Sequence, residues 1–238
     1  MTEHIPPIFD KKVDCSFCNH SFTTSKVRSR YTRPTHTDTD FCTTYKQEQF
    51  SPLLYAVTVC PQCGYASTEQ FSAVFSPEAK RSIQSKITDE WQPQDYTGER
   101  SVGDALKTYK FAILSSTLKQ EKAVVIAGLY LRIVWLYRKL GNEEQEKRFM
   151  RMAQQFYKKA YEEDNLSQSE MAPLRVLYLV GELNRRLENY REAVRYFSMV
   201  IEKKDTAADP KMVEMARDQW HQTREDQKLT QHTVSNMS

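Results

Sequence analysis

Two CxxC pairs constrain the fold of this chain more than any other feature of its sequence. Cys15 and Cys18 form the first pair, Cys60 and Cys63 form the second, and 41 residues separate them. Closed structural zinc sites use four such thiolates at about 2.3 Å in tetrahedral geometry. Gly64 follows the second pair, where a metal-binding knuckle needs a positive φ. The spacing therefore predicts one structural zinc site, with a knuckle at each pair and β-hairpins between them.

Redox chemistry is the main alternative for a CxxC pair, and a catalytic metal is another. A thioredoxin-type dithiol lies between a strand and a helix, and neither pair here is followed by a clear helical pattern. A catalytic zinc ion needs an open coordination position, which four thiolates do not leave. The strand-like segment YAVTV before the second pair, with Phe22 and Tyr65 as aromatic cover, favours a buried structural centre.

Three further candidate ligands lie in the same region of the sequence. Cys42 falls between the two pairs in the segment THTDTDFCTTY, and His20 and His36 are the histidines of this region that could replace a thiolate. A cysteine outside a ligand pair is usually a small buried apolar residue. We therefore expect Cys42 to be buried and all three residues to lie outside the metal site.

The chain after about residue 75 has the pattern of helices. Ser76 is placed to cap a first helix, with Pro77 at its first position. Five longer helices are predicted over 102–119, 121–140, 143–163, 170–188 and 190–204, and a sixth begins at Asp209 and Pro210. The fold class is α+β. The predicted divisions are a zinc-ribbon-like module over 1–75, an all-α domain over 76–227 and a disordered tail over 228–238.

The later helices are similar to a tetratricopeptide repeat. The segment LRVLYLVGELNRRLENYREAVRYFSMV has the repeat's small residues at Gly181 and Ala193, which would let the two helices approach each other, and Phe197 is expected to fill the gap to the next repeat. An earlier unit from Tyr130 to Ala153 keeps part of the pattern, at a spacing of about 47 residues rather than the usual ~34. We interpret this as a short, irregular helical-hairpin array, with a generic helical bundle as the alternative.

Four segments carry a resemblance to a known family. CSFC, TDFC, PLLYAVTVCPQCGYA and YLRIVWLYRKLG resemble an uncharacterised family of bacterial cytoplasmic proteins, found mainly in Gram-positive organisms. The resemblance covers most of residues 10–205. It implies a zinc-ribbon-like part joined to a tetratricopeptide-like part, and it implies no activity.

The repeat pattern predicts a non-enzymatic adaptor or scaffold that binds a protein or peptide partner. Tetratricopeptide arrays bind extended peptides along the first helices of their repeats, and here those positions are basic and aromatic. Arginine pairs bidentately with carboxylates, and aromatic rings supply contact area, so an acidic partner or a C-terminal carboxylate is expected. The predicted partner-binding residues are Trp135, Arg138, Lys139, Arg175, Tyr178, Arg185 and Arg186.

Nucleic-acid binding through the zinc module is the alternative function. Lys26, Arg28 and Arg30 alternate, so on a strand they would share one face, and Tyr31 could stack on a base. Residues 1–70, however, contain seven basic and seven acidic side chains. A four-thiolate zinc site adds about two negative charges. Only a concentrated patch would therefore bind phosphate.

Enzymatic and membrane functions have little support in the sequence. It contains no glycine-rich phosphate loop, no nucleophile elbow and no His-Glu metal helix. The longest apolar run, AVVIAGLYLRIVWLY, includes Arg132 and is shorter than the roughly 20 residues of a bilayer span. The odd number of cysteines, five, and the lack of a recognisable export signal argue against a disulfide framework and favour metal thiolates, so we predict a cytoplasmic protein with no membrane contact.

Overall fold

A computed structural model describes residues 5–164, 173–204 and 209–236 of the chain. Six short strands form three separate antiparallel hairpins, β1 with β2, β3 with β4 and β5 with β6. The strands are β1 Ile8–Asp14, β2 Ser21–Val27, β3 Pro34–Thr37, β4 Thr43–Tyr45, β5 Thr58–Val59 and β6 Ala66–Ser67. The turns of the first and third hairpins carry the two CxxC pairs, which confirms the predicted β-rich region around them.

Seven helices follow the strands in the described part of the chain. They are α1 Pro77–Ile83, α2 Val102–Lys119, α3 Ala123–Lys139, α4 Glu143–Glu163, α5 Pro173–Arg186, α6 Tyr190–Ile201 and α7 Pro210–Asn236. A π-helical turn, Gln84–Thr88, extends α1. The predicted α+β class is confirmed, and α2 and α4 have the bounds that the sequence predicted. The start of the helix expected over 170–188 lies partly outside the described residues.

Local chemistry explains where several helices begin. The Ser76 hydroxyl accepts a hydrogen bond from the Ala79 amide, as an N-cap should. Ser101 and Asp104 form a reciprocal capping box at the start of α2, because each side chain accepts from the other residue's backbone amide. Within the described ranges, no helix is both long enough and apolar enough to cross a membrane.

The chain divides into two compact units. The first consists of Met1–Glu121 and Arg132–Glu143, and the second of Lys122–Leu131 and Glu144–Ser238. The first unit continues past residue 75, where the sequence analysis ended the zinc module, because α2 packs directly on the hairpins. The Ala66 amide of β6 donates to Ser115 Oγ on α2 at 3.1 Å. Buried Arg100, just before α2, donates to the Val57 carbonyl at 2.8 Å.

In the second unit, α5 and α6 form a closely packed pair. Gly181 of α5 faces the ring of Phe197 on α6, and an added Cβ atom would lie 2.8 Å from that ring. Phe197 is fully buried, and so is Tyr178, whose ring centroid lies 5.7 Å away. The role predicted for Gly181, to let two helices approach, is therefore confirmed.

The described part of the segment 228–238, which was predicted as a disordered tail, lies in α7. Helix α7 continues without interruption from Pro210 to Asn236. Residues of good helix propensity, Arg, Glu, Gln, Lys and Leu, dominate the segment before Thr230, and propensity summed over a long window favours continuation. Thr230 Oγ1 also lies 3.3 Å from the Tyr190 hydroxyl of α6, which ties this end of α7 to its neighbour.

Candidate metal centre

The two CxxC turns have the same backbone geometry. The Asn19 amide donates to the Cys15 carbonyl and the Gly64 amide to the Cys60 carbonyl, both at 2.9 Å. In each turn the amide of the first cysteine donates a second hydrogen bond to the carbonyl five residues later, from Cys15 to His20 and from Cys60 to Tyr65. Asn19 has φ +60° and Gly64 has φ +73°. The positive φ predicted at Gly64 is confirmed, and asparagine, which tolerates this region, takes the matching position in the first turn.

The four sulfur atoms are brought together at the spacing of a tetrahedral site. Cys15 Sγ lies 3.7 Å from Cys63 Sγ, and Cys18 Sγ lies 3.7 Å from Cys60 Sγ. All four atoms lie within 4.8 Å of one another. A tetrahedron with metal–sulfur bonds of ~2.3 Å has sulfur–sulfur edges of about 3.8 Å. The predicted ligand set is therefore placed to bind one metal ion, with each short edge joining one turn to the other.

An apolar shell surrounds most of the cluster. Cys15, Cys60 and Cys63 are 5% exposed or less, whereas Cys18 is accessible to solvent. Buried Tyr65 and partly buried Phe22 belong to this shell, as the sequence predicted. The other members, from the first turn, the loop before α1, α1 with its π-helical extension, and α2, are Phe17, Phe71, Phe75, Ile83, Ile87 and Leu118.

The end of the π-helical turn and the loop after it fix the second turn, which the sequence pattern did not predict. Thr88 Oγ1 donates to the Cys63 carbonyl at 3.2 Å, and Trp91 Nε1 donates to the Pro61 carbonyl at 2.9 Å. The Trp91 ring lies directly over Gly64, where an added Cβ atom would be 2.4 Å from two ring carbons. Glycine is thus required there for space as well as for φ. The loop pattern around Trp91 carries no signal that would have revealed this contact.

Without a metal ion, the thiols differ sharply in acidity. The hydrogen bond from Cys63 lowers the pKa of Cys15 to about 5, and the same bond raises the pKa of Cys63. Burial raises the pKa of Cys60 to about 11. Protons and a metal ion compete for these sulfur atoms, so metal binding must release protons and must weaken as the pH falls.

The other candidate ligands lie apart from the cluster. Cys42 is 8% exposed, and burial raises the pKa of its thiol to about 11. Its amide donates to the buried Asp40 carboxylate at 3.1 Å, in the loop between β3 and β4. The ring of His20 stacks on Phe22, and His36 lies on exposed β3. The expected burial of Cys42 is confirmed, and none of these three residues belongs to the group of cysteines that surrounds the metal position.

The predicted partner-binding residues of α3 contact acidic residues of the first unit. Arg138 forms ion pairs with Asp40 at 2.7 Å and with Asp38 at 3.2 Å. Trp135 Nε1 donates to the same Asp40 carboxylate at 3.2 Å. Lys139 pairs with the carboxylate of Glu48 on the loop after β4. These side chains therefore stabilise the β3–β4 region, which the sequence pattern did not anticipate because the carboxylates lie about 100 residues away.

The predicted partner-binding residues of α5 have different environments. The prediction for Tyr178 is wrong, because its side chain is fully buried in the core of the second unit. Arg185 and Arg186 both donate to the buried carboxylate of Glu182, at 2.9 Å and 2.6 Å. The partner-binding role of Arg185 and Arg186 stays a prediction, as does that of Arg175, which is exposed on the same helix.

The residues predicted to bind nucleic acid do not lie together on one face of a β-strand. Strand β2 ends at Val27, so Arg28 lies in the following loop and Arg30 in a short 3₁₀ turn, Ser29–Tyr31. Arg28 donates to the Pro6 carbonyl at 3.1 Å, and Arg30 and Tyr31 both donate to the Ile5 carbonyl. Lys26 pairs with Glu69 at 3.5 Å. The expected alternation of Lys26, Arg28 and Arg30 on one face is therefore wrong, because the extended segment ends before it reaches them all.

The fold and the site together define a class of protein in which a β-rich part with a four-cysteine cluster, placed to bind a metal ion, is followed by a helical array. Residues 8–223 match the family described as "Uncharacterized protein conserved in bacteria (DUF2225)", and the chain belongs to this family. The match confirms the resemblance to an uncharacterised bacterial family. No curated protein and no solved structure matches the chain.

Proposed function

We propose that the cysteine cluster binds one structural zinc ion that holds the two CxxC turns together. The observation that carries this proposal is the sulfur geometry, with two cross-turn edges of 3.7 Å that suit zinc–thiolate bonds. Four cysteine ligands occupy every position of a tetrahedral site, and three of them are buried. A substrate or water molecule would find no open position, so the ion acts in folding rather than in catalysis.

Metal analysis of the purified protein tests the zinc assignment. We expect one zinc ion per chain in the wild-type protein and in Cys42→Ser, because Cys42 lies outside the cluster. Cys60→Ser should lose the ion, since it removes one of the four ligands. Removal of zinc by a chelator should unfold the first unit cooperatively, measured by near-ultraviolet circular dichroism of its tyrosines and Trp91. A protein that keeps its metal in Cys60→Ser would contradict the assignment.

We further propose that the protein is a non-enzymatic cytoplasmic adaptor whose helical unit binds an acidic peptide. The close packing of Gly181 on Phe197 supports a tetratricopeptide-like arrangement of α5 and α6. Arg175 and Arg186 lie on one face of α5, eleven residues apart. Together with Arg185 they give this face a basic character around the buried Glu182. None of the five cysteines is in a disulfide bond, which suits a reducing compartment.

Arg175→Glu is the most informative variant for the adaptor proposal. Arg175 is exposed, whereas reversing Arg185 or Arg186 would remove one ion pair of the buried Glu182 carboxylate and place a second negative charge beside it, and so would test folding instead. Wild-type protein and Arg175→Glu would be used to capture partners from nuclease-treated and untreated bacterial lysate. We expect a stoichiometric protein that survives nuclease and is lost with Arg175→Glu. Capture that vanishes with nuclease would instead favour nucleic-acid binding near Lys26, Arg28 and Arg30.

A further inference from the structure

Cys18 differs from the other three cysteines of the cluster in its access to solvent. Cys15, Cys60 and Cys63 are 5% exposed or less, whereas Cys18 is open to solvent. Cys18 lies in an open surface groove of about 500 Å³, next to Phe17. The rest of the groove is lined by residues of α1, of its π-helical extension and of the position just after it: Lys80, Arg81, Gln84, Ser85 and Asp89. A small reagent can therefore reach one ligand of the metal site without any change in fold.

Two cations line the same groove as this exposed sulfur, together with the carboxylate of Asp89. Lys80 and Arg81 are neighbours on α1, and both are exposed. A thiolate, rather than a thiol, is the nucleophile in cysteine oxidation, and zinc keeps its ligands as thiolates. Cations next to the sulfur stabilise negative charge that develops on a leaving group. The groove thus combines a nucleophile, access and charge stabilisation.

We propose that Cys18 is an oxidation site at which hydrogen peroxide opens the metal centre. The inference rests on the proposed zinc site. The Cys18 thiolate attacks one peroxide oxygen, an S–O bond forms, the O–O bond breaks and hydroxide leaves, so sulfur is oxidised and peroxide is reduced. The Cys60 thiolate then attacks the Cys18 sulfenic acid, an S–S bond forms and a second hydroxide leaves. Zinc loses two of its four ligands and is released.

Cys60 is the resolving partner because of its position. Its sulfur lies 3.7 Å from that of Cys18, and it needs to approach to the ~2.05 Å of a disulfide bond. Cys63 is paired at the same distance with Cys15, on the opposite edge of the cluster. The resulting Cys18–Cys60 bond joins the two turns that zinc had joined. The first unit should therefore remain more compact in the oxidised protein than in the protein from which a chelator has removed zinc.

Peroxide treatment of the zinc-loaded, full-length protein tests the proposal. Zinc release would be followed with a chromophoric indicator, sulfenic acid would be trapped with dimedone at early times, and disulfide-linked peptides would be mapped by mass spectrometry. We expect dimedone on Cys18 first, then a Cys18–Cys60 linkage, with one zinc ion released per linkage. Cys42→Ser should behave like the wild-type protein.

Variants that remove positive charge from the groove test whether that charge, and not only the exposure of Cys18, promotes the oxidation. Lys80→Gln with Arg81→Gln should slow zinc release at least about threefold at low salt, and high salt should reduce the difference. Lys86→Gln, on the same segment but outside the groove, is the matched control and should change little. First labelling at another cysteine, or zinc loss without a Cys18–Cys60 linkage, would overturn the proposal. A protein that holds no zinc before peroxide is added would instead refute the proposed structural role.

Discussion

The contact between Gly64 and Trp91 gives the sharpest test of how the second metal-binding turn is built. Alanine at position 64 must adopt a left-handed backbone at φ +73°, which costs about 1–2 kcal/mol. Its Cβ atom would also lie 2.4 Å from the Trp91 ring, so the ring must move. That movement breaks the Trp91–Pro61 hydrogen bond and the edge contact with Phe111, each contributing about 1 kcal/mol. We expect a total loss of about 3–4 kcal/mol.

Gly98 offers a matched control for this prediction. It has nearly the same backbone angle, φ +75°, and an added Cβ atom there would meet nothing within 4 Å. Gly98→Ala should therefore show the backbone cost alone, about 1–2 kcal/mol. At about 3 °C per kcal/mol, the melting temperature should fall by about 10 °C for Gly64→Ala and by about 4 °C for Gly98→Ala.

A double-mutant cycle isolates the steric part of the loss. In a Trp91→Ala background the ring is gone, so Gly64→Ala should cost only the backbone share, and the two substitutions should be non-additive by about 2 kcal/mol. Zinc-loaded proteins would be compared by thermal and denaturant unfolding. Equal losses for Gly64→Ala and Gly98→Ala, or full additivity in the cycle, would refute the packing of Trp91 on the turn.

Three further predictions concern stability. Lys119→Met should destabilise the first unit by about 3–5 kcal/mol in denaturant unfolding, because it leaves the Glu121 carboxylate buried without the ion pair at 2.7 Å; adding Glu121→Leu should recover part of the loss. Glu188→Gly should raise the melting temperature, with a gain of about 1 kcal/mol, because Glu188 ends α5 with φ +63° on the surface. Ser101→Ala should cost about 1 kcal/mol at neutral pH. The hydrogen bond from the Ser101 side chain lowers the pKa of Asp104. The stabilisation by this hydrogen bond is therefore complete above the carboxyl's unfolded pKa and is lost as the pH falls through the lowered pKa. A loss of stability in Ser101→Ala that is the same at low and at neutral pH would contradict this.

The ligand set and most helices could be predicted because their signals are local. Four thiolates at paired spacing have few other uses, and α4 has clear apolar periodicity and begins just after the Gly141–Asn142 break. Asn19 could have been assigned by analogy with Gly64, since it follows the first CxxC pair as Gly64 follows the second.

The environment of the predicted partner-binding residues could not be deduced in the same way. The partners of Trp135 and Arg138 lie in the loop before β4, and pairing across about 100 residues leaves no periodic signal. Tyr178 was misplaced because an irregular helical pair buries more of α5 than the repeat pattern implies.

X-ray absorption at the zinc edge of the purified protein tests the central claim most directly. A structural four-cysteine site predicts one zinc ion per chain with four sulfur neighbours at about 2.3 Å, and the same spectrum for Cys42→Ser. A spectrum with nitrogen or oxygen neighbours, fewer than four sulfur atoms, or no zinc bound to the folded chain would contradict the account.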